Sequence, residues 1–113
     1  MALTPLTLAP LTALSPLDGR YFKKVASLSD TFSEFGLIRL RLRVELEWLK
    51  ALGRETAIAE VPAFSPSAME ELERVAATFC LEDAEQVKAI ETRTNHDVKA
   101  LEYWIKERLA SNT

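Results

Sequence analysis

From Ile38 to Trp48 apolar and charged residues alternate without a break: Ile38, Leu40, Leu42, Val44, Leu46 and Trp48 against Arg39, Arg41, Arg43, Glu45 and Glu47. This run restricts the fold more than any other stretch, because it is either a two-faced strand or a helix with apolar groups nearly all round. Period two is the strand signal. Composition opposes it, since Leu, Arg and Glu are helix formers and only Ile38 and Val44 are β-branched. The run also continues through Leu49, Ala51 and Leu52, which is long for a strand. Arg41 with Glu45, and Arg43 with Glu47, stand as opposite charges at helical i,i+4 spacing. The reading is a helix over residues 37–52, buried against more than one neighbour, with Gly53 as its C-cap.

Other helices follow from spacing. Residues 22–36 read as a first helix with Ser27 or Ser29 as N-cap, Leu28, Phe32 and Phe35 facing inward, and Gly36 ending or bending it. Ser65-Pro66 is an N-cap followed by proline at the first helical position, ahead of an inward face of Met69, Leu72, Val75 or Ala76, and Phe79. A break near Cys80 leads into a helix through Ala84, Val87 and Ile90. The last helix runs from about His96 to Leu109, with Val98, Leu101, Ile105 and Leu109 at helical spacing and Glu102–Lys106 as an i,i+4 pair. The sum is an all-α fold of about five helices, organised as an arm over residues 1–21 and a helical domain over residues 22–113.

Composition narrows the function classes. A chain of 113 residues, 48% hydrophobic and 27% charged, is expected to form one soluble globular domain. A net charge of −3 with 14 Lys and Arg argues against a nucleic-acid partner. Gly19, Gly36 and Gly53 cannot be assembled into a phosphate-binding loop. The single cysteine, Cys80, fits a reducing compartment and reads as a small buried hydrophobe. One His and one Cys leave no zinc site, so no metal is expected. Residues 1–17 carry no charge, but Pro5, Pro10 and Pro16 break any helical apolar core, so neither a signal peptide nor a membrane span is read there. The expectation is a cytoplasmic protein with an extended arm lying against something apolar.

Two places carry candidate chemistry. Asp18-Gly19 is a turn former after Ser15-Pro16, and it presents Arg20 and Tyr21 on a loop as an anion fork and an amphipathic ring. The alternative is a surface Arg beside a Tyr packed over the core. The second place holds the only histidine. Thr94 followed by Asp97 reads as a capping box, with Asn95 the competing N-cap, which puts His96 in a first turn beside N–H groups lacking intrahelical partners. Such a corner suits an anionic or polar ligand, and a neutral imidazole is favoured there. Plain helix capping by the same residues is the competing reading.

The stretches Leu11-Thr12-Ala13-Leu14-Ser15-Pro16-Leu17-Asp18-Gly19-Arg20-Tyr21 and Thr94-Asn95-His96-Asp97-Val98-Lys99-Ala100 together resemble the bacterial type of the adenylosuccinate lyase family. The resemblance extends through Phe32-Ser33-Glu34-Phe35-Gly36-Leu37, Glu47-Trp48-Leu49 and Glu60-Val61-Pro62-Ala63-Phe64. It implies the N-terminal helical domain of a fumarase/aspartase-like homotetramer, with a central helix bundle and a C-terminal domain lying beyond. The implied reaction is β-elimination of fumarate from adenylosuccinate, giving AMP, and from succinylaminoimidazole carboxamide ribotide. It also implies no cofactor, a nucleotide contact for Arg20 and Tyr21, and a substrate site lined by Asn95, His96 and Asp97. In the resembled family a loop serine acts as base and a second histidine as acid. Both are missing from these 113 residues, so the chain is expected to be an inactive N-terminal fragment with His96 orienting substrate or aiding proton transfer. A free-standing helical interaction module is the competing class.

Overall fold

The computed structural model describes residues 4–110, and the first three residues of the expected arm and the last three of the chain lie outside it. Among the described residues the regular elements are all helical. Single turns, α1 (Phe22–Val25) and α2 (Ser29–Phe32), precede four longer helices: α3 (Glu34–Arg54), α4 (Pro66–Thr78), α5 (Leu81–Thr94) and α6 (Asp97–Ala110). None is long and apolar enough to cross a membrane.

Residues 37–52 lie entirely in α3, and helical geometry explains the alternation. Two residues turn a helix through about 200°, so a period-two sequence splits into two stripes on nearly opposite sides. Ile38, Leu42 and Leu46 form the buried stripe, and Lys50 continues it. Leu40, Val44 and Trp48 form the other, and it is exposed, Val44 at 67% and Trp48 at 62%. The helix does meet more than one neighbour, packing against α2, α4, α5 and α6, while its outer stripe stays uncovered.

Ser33 starts α3, its Oγ accepting the Gly36 N–H at 3.1 Å. This corrects the expected continuous helix over residues 22–36. The chain breaks at Ser33, Gly36 sits inside the following helix, and Leu28 and Phe32 are exposed while Phe35 packs on the core. A Cβ on Gly36 would come within 2.6 Å of the Thr31 carbonyl oxygen, so glycine lets α2 fold back onto the start of α3. Gly53 is likewise no C-cap. The helix runs on to Arg54, and the absent Cβ makes room for the Phe64 ring.

Ser65 caps α4 as expected, its Oγ accepting the Ala68 N–H at 3.1 Å ahead of Pro66. The core joins α3 to Leu72, Val75 and Phe79, to Val87 and Ile90 of α5, and to Leu101 and Trp104 of α6. Phe79 stacks on Phe35 at 5.9 Å and meets Trp104 edge-on at 5.3 Å. Trp104 Nε1–H donates to Gln86 Oε1 at 2.9 Å. Cys80 is exposed rather than buried, because Asp83 accepts from both its N–H and its thiol and holds it at the start of α5.

The arm is not fully extended. Thr12 turns it back, donating its N–H to Ala9 O at 3.0 Å while its Oγ1 accepts the Ala9 N–H at 2.8 Å. Leu6, Leu8, Leu11 and Leu14 are exposed, so within the described residues the arm has no apolar bed.

Candidate functional site

The corner between α5 and α6 is two residues long, and each closes a helix. Asn95 takes the left-handed conformation (φ 52°, ψ 31°) and donates its N–H to Glu91 O at 2.8 Å, ending α5. His96 is the N-cap of α6: its carbonyl accepts the Ala100 N–H at 3.0 Å and its Nδ1 accepts the Lys99 N–H at 3.1 Å. Thr94 Oγ1 buttresses this turn, accepting the His96 N–H at 3.3 Å and donating to the His96 carbonyl at 3.0 Å. The expected capping box of Thr94 and Asp97 is therefore replaced by a histidine cap. Its physical reason is that α5 runs through Thr94, so Thr94 is too early, and Asn95 is needed to end that helix.

This arrangement sets the chemistry of His96. With Nδ1 accepting a backbone N–H, the proton of the neutral ring sits on Nε2. The ring is 64% exposed, and Nε2 has no protein partner among the described residues. Asp97 does not fix the tautomer, because its Oδ1 lies 3.9 Å from Nδ1. That oxygen accepts the Val98 N–H at 2.8 Å, and Oδ2 accepts from Arg41 Nη1 at 2.6 Å. The Val98 N–H first, and the Arg41 guanidinium second, hold the Asp97 carboxyl below the usual carboxylate range. The N–H groups of Val98 and Lys99, expected to be open to a ligand, are thus already taken by side chains. What the corner offers is a fixed imidazole N–H, the Asn95 amide and a carboxylate locked in its charged form.

Behind the corner lies a crevice of ≈ 110 Å³, where Arg41, Lys88, Glu34, Glu91 and Asp97 meet above Ile38, Val87 and Leu101. Lys88 Nζ reaches Glu34 Oε1 and Glu91 Oε2, both at 2.7 Å, which ties α5 to the start of α3. Sequence reasoning missed both Lys88 and Arg41. It gave Arg41 to Glu45 by helical spacing, whereas its partner is 56 positions away and no local signal marks it. The expected Glu102–Lys106 pair is displaced by Lys99–Glu102 at 2.7 Å.

Arg20 and Tyr21 stand elsewhere. Ser15 Oγ accepts the Leu17 N–H at 3.2 Å and opens a 3₁₀ turn over Pro16–Asp18, and the Tyr21 N–H closes on Pro16 O at 3.0 Å. Gly19 is buried there, its missing Cβ leaving room for the Pro10 carbonyl. Arg20 lies over the Tyr21 ring at 4.8 Å, and both side chains are exposed. Among the described residues no hydrogen bond, ion pair or ring contact joins this turn to Asn95, His96 or Asp97.

A wider hollow of ≈ 710 Å³ opens between Leu49, Phe64, Leu72 and Leu109 and holds none of the candidate residues. The crevice beside the corner is well below the several hundred Å³ usual for a small-molecule pocket.

No family model matches the chain. Known proteins do. It is 52% identical over 103 residues to the adenylosuccinate lyase of Escherichia coli K12, which covers 91% of this chain and 23% of that enzyme. Against the adenylosuccinate lyase of Vibrio cholerae O395 it is 52% identical over 104 residues, 92% of this chain and 23% of the relative. Against that of Legionella pneumophila Corby it is 44% identical over 107 residues, 95% and 24% of the two chains. An all-helical fold and these relatives define the class, a helical chain similar to part of known lyases. By sequence the chain belongs to the adenylosuccinate lyase family, and it spans about a quarter of the length of the curated relatives it matches.

Proposed function

We propose that this chain is the N-terminal part of an adenylosuccinate lyase, contributing Asn95, His96 and Asp97 to one wall of the substrate site and Arg20 and Tyr21 to another. The observation that carries the reading is 52% identity to lyases of that name over nine-tenths of the chain. The substrates are adenylosuccinate and succinylaminoimidazole carboxamide ribotide, and the intact enzyme is a cytoplasmic homotetramer whose subunits bring the separate walls together. In the elimination, a base removes the proton beside a carboxylate, the C–N bond breaks, fumarate leaves, and an acid protonates the departing nitrogen. The His96 tautomer suits donation. Its Nε2–H can bind an oxygen on which negative charge develops, while Nδ1, engaged by Lys99, is closed to base catalysis. Arg20 offers a fork to a phosphate and Tyr21 a ring to the base.

The interaction-module alternative draws on the exposed stripe Leu40, Val44 and Trp48. Lyase turnover of adenylosuccinate by the intact protein decides between the two, and His96→Asn tests the site. Asn is a strong N-cap and can take over the Lys99 N–H, but it cannot reproduce the Nε2–H. In the intact protein kcat/KM for adenylosuccinate is expected to fall by about a hundredfold, roughly 2.7 kcal/mol, with Tm near wild type. His96→Ala should lower both. Normal kinetics in His96→Asn would remove His96 from the site.

A further inference from the structure

We infer that Arg41 is a positioning residue for the Asn95–His96–Asp97 corner, an inference that rests on the site assignment proposed above. The corner is held at its ends by its own helices, yet its only side-chain link to the long helix beneath it, among the hydrogen bonds and ion pairs of the described residues, is the bond from Arg41 Nη1 to Asp97 Oδ2 at 2.6 Å. Three features make this contact a latch rather than an incidental surface pair.

It joins residues 56 positions apart, so it fixes α6 relative to α3 and not merely a helix to itself. It is half-sheltered, with Arg41 at 34% and Asp97 at 48% side-chain exposure over Ile38 and Leu101, whereas a fully solvated pair would constrain little. And it grips the carboxylate whose other oxygen caps Val98, one residue from the imidazole. Asp97 is thereby bound from both sides. The chain from Asn95 to Val98 has little freedom to rotate, and the His96 ring, already fixed by Lys99, inherits that placement. Lys88, bound to Glu34 and Glu91, holds the far side of the same crevice.

Asp97 takes Arg41 through one nitrogen, Nη1, and the role inferred for that bond is to place the corner. Misplacing a substrate-binding group by even an ångström costs up to about a hundredfold in rate.

The test uses the intact enzyme carrying Arg41→Met, Arg41→Lys and, as reference, His96→Asn. The expected result is a kcat/KM at least about tenfold lower in Arg41→Met, with Tm within a few degrees of wild type. Arg41→Lys, which keeps a charge within reach of Asp97, should recover a large part of the loss. Wild-type kinetics in Arg41→Met beside an impaired His96→Asn would overturn the positioning role while leaving the site assignment standing. A loss in Arg41→Met that Lys does not relieve, with Tm falling in parallel, would make the pair structural and also overturn it. Unimpaired kinetics in His96→Asn would overturn the site assignment and this inference together.

Discussion

At the scale of single residues the molecule is governed by what fits at a close approach. Gly36 is the clearest case: in an ordinary helical position alanine would be favoured by about 1 kcal/mol. Here the added methyl would meet the Thr31 and Asp30 carbonyl oxygens at 2.6 and 2.7 Å, and Asp30 is itself pinned by two bonds from Arg39. Gly36→Ala is therefore expected to destabilise the chain by about 1–3 kcal/mol, read as a lowered urea midpoint at unchanged slope. A raised midpoint would mean that the α2 turn yields freely. His96 illustrates how much of a residue is legible beforehand. Its place at a helix start follows from the spacing of Val98, Leu101 and Ile105, but its hydrogen bonds depend on where α5 stops. A shift of one or two residues in that boundary exchanges the roles of Thr94, Asn95 and His96, and boundaries are the least determined part of any reading from pattern.

At the scale of elements, α3 shows how local chemistry and pattern divide the work. Helix-forming composition correctly outweighed strand-like alternation, because a helix can use period two as two stripes while a strand of that length would lack partners. What composition could not convey is which stripe meets the core, a matter of packing with α4, α5 and α6. Nor could it reveal Lys50, 1% exposed at the end of the buried stripe, whose ammonium reaches Glu47 Oε1 at 2.7 Å and also Glu73. The stem lies in the core and the head meets two carboxylates at its rim. The hydrogen bond that Lys50 donates to Glu47, then the one it donates to Glu73, raises the lysine above its ordinary 10.5 against the pull of burial. A raised folded value means that the stabilisation is complete below the unfolded value and is lost as pH rises through the folded one. Relative to Lys50→Met, the wild-type Tm is expected to fall more steeply above the ordinary 10.5, while parallel curves would show the pair to be neutral. The first helix expected over residues 22–36 failed for the opposite reason. Its composition permits a helix, but Ser33 and Gly36 commit the chain to a break that only the packing of α2 on α3 makes useful.

For the whole molecule, the two tryptophans report opposite surroundings. Trp104 is 3% exposed in the core, and Trp48 is 62% exposed on the uncovered stripe of α3. Iodide should therefore quench one component of the emission readily and the other hardly at all, and Trp48→Phe should abolish the accessible component. A single uniformly protected component would show that the stripe is covered in solution by another copy or by the arm. The all-helical class was legible in the sequence, as were the corner and the turn that carry the candidate residues. The long-range latch from Arg41 was not, since nothing local encodes a partner so distant. One last consequence lies in the two-residue length of the α5–α6 junction. A residue that joined the start of α6 while the junction kept its geometry would turn the rest of that helix by about 100° about its own axis. Leu101 and Trp104 would swing out of the core and charged neighbours would swing in. The count of residues at this corner is thus tied to the interior, and their side chains serve the two caps as well as any chemistry.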